Sequence, residues 1–431
     1  MSDRVVGVGL IGMGTVGRGV YRILRNNCAE IKQKVGASIE IKKILVRDPG
    51  KDRGFPLPPG LLTGEMDDIL NNREIDIVIE VMGGVDTAFT YATAALTRGK
   101  GLVTANKDMV ALKGKELFAA AEAGNADFLF EASVGGGIPI IRPMKESLAA
   151  NRVEQIMGII NGTTNYMLTR MTNEGMDFDK VLREAQELGY AEADPTADVG
   201  GFDAARKLAI LSSIGFNARV SLDQVYVEGI TKITADDIAY ASELNYVIKL
   251  LGIAKDAEQG IEVRVHPTLL PRDHPLAAVN DVYNAIFIHG DAVGDVMFYG
   301  RGAGEMPTAS AVTSDVMAAA RNILRGGQGL IGCTCYYDKP VKPMGDVFSK
   351  YYVRLKVVDK PRVLAGISLI FGDCEVSIAS VIQKQTDGEN AEIVLVTHEV
   401  LEKNMQTALE KIQELPYVFG VSNIIRAEGP D

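Results

Sequence analysis

The chain is poor in the residues that cross-link proteins and hold metals. It has four cysteines in 431 residues, too few for the disulfide framework of a small secreted domain, and its one close pair, Cys333 and Cys335, is too small for a zinc site. All four are expected to be reduced core thiols. His266, His274, His289 and His398 lack metal-ligand spacing, which argues against a zinc or iron centre. No apolar run approaches the roughly 18 residues that span a bilayer. The start, MSDRVVGVGL, lacks the basic region and cleavage site of a signal peptide. A cytoplasmic protein that does not meet the membrane is expected. Lysine and arginine are outnumbered 45 to 56 by acids, for a net charge of −11, so nucleic acid is not the expected partner.

What is present is apolar material, 47% of the chain, enough for about two to three cores at this length. Residues 4–11 (RVVGVGLI) form a short, valine-rich run of the kind that makes a buried parallel strand. It leads straight into Gly12-Met13-Gly14-Thr15-Val16-Gly17. In a GxGxxG placed between a strand and a helix, the first glycine permits the tight turn and the second lets a pyrophosphate approach the backbone. The third brings helix against strand. The helix that follows offers unpaired N–H groups to phosphate. The next strand, 38–46, ends on Arg47-Asp48. Arginine there suits the 2′-phosphate of NADP, although the adjacent acid keeps NAD open. Further strands are expected over 75–82, 102–105 and 126–134, with a helix over 87–98. The fourth strand delivers Thr104-Ala105-Asn106-Lys107 to the edge where doubly wound parallel sheets bind ligands. Lys107 could equally be a surface lysine flanking a helix.

The segment 131–139, EASVGGGIP, leaves the sheet. Its three glycines suit a hinge, or carbonyl groups turned inward around a hard cation. A strand over 152–160 ends in Asn161-Gly162-Thr163-Thr164-Asn165, and more strands are expected over 261–270, 284–289 and 295–299. A glycine turn at 302–304 opens a long helix over 305–324, which places Gly304 where it could lie against the cofactor.

Between Leu188 and Leu211 the chain reads LGYAEADPTADVGGFDAARKLAIL. Pro195 and Gly200-Gly201 make a loop, and a helix follows from Phe202. Asp203 and Lys207 stand one helical turn apart on the stripe that continues through Ile210, Leu211 and Ile214. A carboxylate and an ammonium on an apolar face describe a cleft-lining pair. The plain alternative is an ordinary ion pair that adds a few tenths of a kcal/mol to the helix. Glu192, Asp194 and Asp198 in the preceding loop favour the cleft, as a pocket for a cationic, hydroxyl-bearing small molecule. Residues 333–350 read as a linker. Residues 351–431 give the order βαββαβ, a ferredoxin-like unit without a catalytic cluster, whose open sheet edges suggest pairing with a second copy.

Taken together, GMGTVG, TANK, EASVGGGIP, NGTTN, LGYAEADPTADVGGFDAARK and GAGEMPTASAV resemble the homoserine dehydrogenase family, in its long form ending in an ACT regulatory domain. The resemblance covers nearly the whole chain. It implies a Rossmann domain over 1–137 completed by the returning helix, an α+β catalytic and dimerisation domain over 138–332, the linker, and an ACT domain over 351–431. The implied reaction interconverts L-homoserine and L-aspartate 4-semialdehyde with NADP or NAD, in the pathway to threonine, methionine and isoleucine. By resemblance Lys207 transfers the proton and Lys107 sits between nicotinamide and substrate. Glu192, Asp198, Asp203 and Gly189 hold the amino acid. Gly12 to Gly17, Arg47, Thr104, Lys107, Gly189 and Gly304 hold the dinucleotide. A sodium ion is implied at Glu131, Val134, Gly136 and Ile138, a homodimer or homotetramer as the assembly, and threonine as the allosteric ligand. Many ACT domains have glycine where this chain has Arg362, which bears directly on that ligand. Rival readings are a dehydrogenase for another amino-acid aldehyde and a non-catalytic metabolite sensor.

Overall fold

The computed structural model describes residues 4–385 and 388–429. The chain divides into two compact units. The first comprises residues up to Val153, Ala209–Leu222 and His289–Asp338, and the second Glu154–Leu208, Asp223–Ile288 and the chain from Lys339 on.

The first unit is built on a six-stranded sheet in the order Leu62–Thr63, Ser38–Leu45, Val5–Ile11, Ile77–Glu80, Gly101–Thr104, Phe128–Leu129. Every pairing in it is parallel. Chain order reverses beside Val5–Ile11, and ligands of such sheets bind outside the strand ends at that crossover. Val8, Leu10, Ile77, Ile79 and Val103 are fully buried, as continuous apolar strands covered on both faces require. The helix Glu305–Arg325 returns late in the chain to pack on Thr15–Asn26. A Cβ on Gly19 would stand 2.8 Å from that of Ala309, so glycine there is demanded by the closeness of the two helices. The strand expected over 126–134 is only Phe128–Leu129. From Glu131 the chain turns into a short 3-10 helix, because the Glu131 N–H leaves the sheet to donate to Asp315 (2.8 Å).

In the second unit the strands run in the order Tyr283–Gly290, Val153–Ile159, Tyr246–Ala257, Gly260–Pro271, Val418–Ala427, Phe348–Val358, Asn390–Thr397, Ile378–Gln385. The last four, with the helices Val363–Asp373 and Glu402–Gln413, are the ferredoxin-like unit. Of that unit's two edges, expected to be open to a second copy, Ile378–Gln385 ends the sheet and Val418–Ala427 is covered within the chain. It pairs in parallel with Gly260–Pro271, at Thr268 with Arg426 and Leu269 with Ala427. Buried ion pairs fasten the same junction. Arg426 holds Glu402 at 2.7 Å and Glu228 at 2.8 Å, and Arg264 holds Glu262 at 2.8 Å and Glu428 at 2.7 Å. Charges this deep are tolerated because each is matched and hydrogen-bonded. The expected linker is also tied down, by Val341 bridging to Ile261 and by the Ile261 N–H donating to the Pro340 carbonyl (2.8 Å).

His266 lies beside this junction, fully buried, and burial first, then the charges of Arg426 and Arg264, hold its pKa well below the usual histidine range. The folded chain therefore keeps the imidazole neutral where the unfolded chain, with a pKa of about 6.5, begins to bind a proton. The stability this contributes is present above about pH 6.5 and is lost as pH falls below it. Thermal melts of wild type and His266→Gln should differ increasingly in the variant's favour from pH 7 towards pH 5. A pH-independent difference would show that the imidazole does not titrate on unfolding.

Candidate active site

The second unit gathers its polar groups around the start of the helix Phe202–Gly215. Asp203 and Lys207 meet there as the helical spacing requires. The Lys207 Nζ donates to Asp203 Oδ2 at 2.6 Å and to the Ile160 carbonyl at 2.8 Å. The two side chains are 11% and 12% exposed, so this is no solvated surface pair. The two contacts use two of the three N–H donors of an ammonium and fix its direction from two elements.

Asn161 completes the cluster. Its amide donates to Asp203 Oδ2 (2.9 Å) and to Asp198 Oδ1 (2.6 Å). Its carbonyl oxygen accepts from the Thr164 N–H at 2.9 Å, capping the helix Gly162–Glu174. One buried asparagine thus ends a strand, starts a helix and spaces two carboxylates. Sequence reasoning noticed the turn but did not count Asn161 among the site residues, since the cap role alone explains an asparagine before a helix. Asp198 sits on the short helix Thr196–Val199. Glu192 is exposed, and among the described residues its carboxylate has no hydrogen bond to this cluster. It follows Gly189, whose φ of 74° gives the left-handed turn that glycine takes freely. The Thr163 hydroxyl donates to the Tyr190 carbonyl (2.6 Å) and secures that turn.

In the first unit the glycine motif closes as its spacing predicts. Gly12 has φ 100°, and a Cβ on Gly17 would stand 2.2 Å from the Gly12 carbonyl oxygen. No heavy atom lies within 4 Å of where a Cβ on Gly14 would be. The helix Thr15–Asn26 starts with no side-chain cap and no acid in its first turn, which leaves its positive end to an anion. Arg47 is exposed just beyond Ser38–Leu45, and the Asp48 carboxylate accepts the Gly50 N–H at 2.9 Å.

At the ends of the neighbouring strands lies a second group that the sequence reading missed. Glu80 is fully buried, accepts from the Thr104 hydroxyl (2.7 Å) and the Met82 N–H (2.9 Å), and has its pKa raised chiefly by burial. The Asn106 side chain bonds the Gly84 carbonyl (2.6 Å) and caps the helix Lys107–Gly124 at the Met109 N–H (3.1 Å). Lys107, half-buried, is therefore the first residue of a helix. A cation at that end opposes the helix dipole by about 0.3–1 kcal/mol, a cost that a surface lysine has no reason to bear. The only sequence signal for Glu80 was a lone acid at the end of an apolar strand.

The segment 131–138 folds against the glycine turn before the returning helix. A Cβ on Gly136 would stand 2.3 Å from the Gly302 carbonyl oxygen, and one on Gly137 2.8 Å from the Pro307 Cβ. Glu131 spends both carboxylate oxygens on backbone N–H groups, those of Ile141 (2.7 Å), Arg142 (2.8 Å) and Ile140. Asp315 on the returning helix is pushed up to about 7, by burial first and then by the charge of Glu131.

Comparison with known proteins decides the family. The family model described as homoserine dehydrogenase matches residues 139–317, that of its NAD-binding domain residues 12–131, and that of the ACT domain residues 351–417. Homoserine dehydrogenase of Bacillus subtilis is 44% identical over 99% of both chains. The chain belongs to the homoserine dehydrogenase family. The crystal structure of a homoserine dehydrogenase from Thiobacillus denitrificans superposes with a TM-score of 0.93 at 45% identity, over 99% of this chain and 98% of that one. A hyperthermophilic archaeal homoserine dehydrogenase in complex with NADPH is 27% identical and has a TM-score of 0.62, over 73% of this chain and 98% of its own. The chain is accordingly an oxidoreductase of the homoserine dehydrogenase type, with a dinucleotide-binding parallel sheet and a C-terminal ACT domain. Among the described residues no helix is long and apolar enough to cross a membrane, and no three His, Cys, Asp or Glu side chains cluster to hold a metal.

Proposed function

We propose that the chain interconverts L-homoserine and L-aspartate 4-semialdehyde, with Lys207 moving the proton at the substrate oxygen. The observation that carries this is the aimed, nearly buried Lys207 ammonium, held by Asp203 and the Ile160 carbonyl. A bound nicotinamide supplies or accepts the hydride at the carbon bearing that oxygen. In reduction, Lys207 gives a proton as the aldehyde oxygen becomes an alkoxide; in oxidation it takes one back. Lys107 stabilises charge on the oxygen. Asp198, Asp203 and Glu192, with Gly189, recognise the substrate ammonium through charge-assisted hydrogen bonds. A spectrophotometric assay of homoserine oxidation with each nicotinamide cofactor tests the reading, and absence of turnover on homoserine beside turnover on another amino alcohol would reject it.

The proposed division of labour follows the chain: dinucleotide binding over 1–137 with the returning helix, catalysis and dimer formation over 138–332, a linker over 333–350, and regulation over 351–431. The residues present fit a dinucleotide at Gly12 to Gly17, since no protein contact demands a glycine at Gly14 and the helix end behind it carries no cap of its own. Thr104, at the end of Gly101–Thr104, and Gly304, before the returning helix, are proposed as further contacts to the dinucleotide. For the ribose end we infer NADP, because Arg47 is exposed at the strand end while Asp48 is already engaged with Gly50. The archaeal relative bound to NADPH lends weight to this. Arg47→Ser should raise the KM for NADP about 10- to 100-fold, the worth of one or two charge-assisted hydrogen bonds, and leave that for NAD within about twofold. An equal loss for both cofactors would contradict it.

A sodium ion is proposed at the turn that leaves the first sheet. With the Glu131 carboxylate spent on three N–H groups, the residues fit a cation only through the carbonyls of Glu131, Val134, Gly136 and Ile138, on a turn where Gly135 and Gly136 have φ 70° and 53°.

The assembly is proposed as a homodimer or homotetramer, and the site of action as the cytoplasm, in the route to threonine, methionine and isoleucine. For regulation the ligand proposed is threonine, bound at the turn before Val363–Asp373. Arg362 there adopts φ 76°, the left-handed conformation of the glycine it replaces, and its side chain is exposed. The turn keeps its shape at a strain of about 1 kcal/mol. Threonine titrated against the full chain should lower activity, and Arg362→Gly should respond as well as wild type. An unresponsive enzyme in both forms would leave the ACT domain an assembly module.

A further inference from the structure

The four cysteines do not behave alike. Only Cys374 is in the core; Cys28 is exposed, and Cys333 and Cys335 are half-buried. This corrects the expectation of four core thiols, and it separates the CxC pair from the other two. The strap that carries the pair crosses the first unit, anchored where Lys145 donates to the Gly332 carbonyl (2.9 Å) and where the Tyr337 N–H donates to the Asn217 carbonyl (2.8 Å). Arg219 Nη2 donates to the Cys333 sulfur at 3.4 Å, and the Cys335 thiol approaches the Ser213 carbonyl at 3.9 Å. Both sulfurs border a cleft of about 650 Å³ lined also by Lys115, Phe118, Glu122 and Arg219. That cleft is large enough for a small thiol compound, and Lys115 and Arg219 place two cations on its wall beside the one carboxylate of Glu122. None of these residues takes part in the reaction proposed above.

We propose that Cys333 and Cys335 form a reactive dithiol that closes to an intrachain disulfide by exchange with a low-molecular-weight disulfide bearing carboxylates. Only Thr334 separates the two cysteines, both line the same cleft, and the backbone already turns at Cys335, where the Tyr336 N–H donates to the Thr334 carbonyl at 3.0 Å. The Cys333 thiolate attacks one sulfur of the small disulfide, forming a mixed disulfide and releasing the first thiolate. The Cys335 thiol, losing its proton to solvent, then attacks the Cys333 sulfur and releases the second. Two electrons pass from the cysteine pair to the small disulfide, which leaves as two thiols. A ring this small is strained, so excess thiol reopens it.

The electrostatics divide the roles. The neighbouring Cys335 thiol and backbone N–H, then the charges of Arg219 and Lys145, outweigh burial and hold the Cys333 thiol below the usual range, and the Arg219 Nη2 contact at 3.4 Å is the geometry beside that shift. Its thiolate neighbour pushes the Cys335 thiol up. Lys145 is itself lowered to about 8 by burial, and Glu122 and Lys115 face the same cleft from the helix Lys107–Gly124. A thiolate of low pKa gains population but loses intrinsic nucleophilicity, so the signature is the pH profile and not raw speed.

The test uses the full reduced chain, glutathione disulfide as the oxidant, and peptide mass spectrometry after alkylation. Wild type should yield a disulfide between Cys333 and Cys335, with Cys28 and Cys374 still alkylated. Cys335→Ser, which keeps a hydrogen-bond donor, should trap glutathione on Cys333. In that variant alkylation of Cys333 by iodoacetamide should rise less steeply from pH 6 to pH 8 than that of free glutathione, an ordinary thiol that speeds up about tenfold per pH unit. Arg219→Leu should restore a pH dependence at Cys333. Glutathione spread equally over Cys28 and Cys333 with no intrachain disulfide, or a Cys333 profile as steep as that of free glutathione, would overturn the proposal.

Discussion

Replacing Lys207 with alanine is expected to lower turnover on homoserine by a factor of about 10² to 10⁴, the usual worth of a positioned proton-transfer group, while the dissociation constant for the dinucleotide stays the same. The separation follows from where the residues lie. Lys207 belongs to the second unit, with Asp203, Asn161 and Asp198, whereas the glycine motif belongs to the parallel sheet of the first. Removing the ammonium also deprives a nearly buried carboxylate of its cation, which can cost stability. Lys207→Gln controls for this. Glutamine retains N–H donors for Asp203 and Ile160 but cannot move a proton at the alcohol oxygen, so it should fold like wild type and turn over no faster than the alanine variant. Near-normal turnover in either would remove Lys207 from the proton path.

The second large effect divides the glycines of the dinucleotide motif by mechanism. Gly14→Val should melt close to wild type, because no atom lies within 4 Å of the added Cβ. It should nevertheless weaken cofactor binding by between about tenfold and several hundredfold, since a side chain there displaces the pyrophosphate from backbone N–H donors worth about 1.5–3 kcal/mol each. Gly17→Val should do the opposite first. Its Cβ would stand 2.2 Å from the Gly12 carbonyl, so helix and strand must part, at a stability cost of about 1–3 kcal/mol or more. Thermal melts beside fluorescence titration with NADPH distinguish the two. A Gly14→Val protein that binds NADPH normally would mean that the phosphates lie elsewhere.

These two predictions draw on features that were legible in the sequence, for a shared reason. An apolar run followed by GMGTVG, and an Asp/Lys pair one turn apart, are local patterns whose meaning is complete within about 20 residues. The parallel sheet, the long helix after Gly304 and the paired charge at Asp203 and Lys207 could be read because period and spacing report directly on them, whereas the return of that helix to the first sheet was implied only by the resemblance. Asn161 and Glu80 could not, because what they do depends on partners 42 and 24 residues away. Alone, each looks like a cap or a stray acid. Long-range pairing also explains the misjudged ACT edge. Nothing in residues 418–427 says that the neighbour is Gly260–Pro271 and not a second copy, and the cations that fasten Glu428, Lys255 and Arg264, come from strands far back in the chain. The CxC pair was misjudged because composition counts thiols, whereas their character is set by Arg219 and by the strap that presents them.

The proposed reaction requires that the Lys207 ammonium reach the reacting oxygen. Its most direct test is a crystal structure of the enzyme with NADP and homoserine bound together. Lys207 Nζ is expected within about 3 Å of the substrate hydroxyl, still tied to Asp203. A nitrogen turned away from the amino alcohol, with another side chain in hydrogen-bond contact with that hydroxyl, would contradict it.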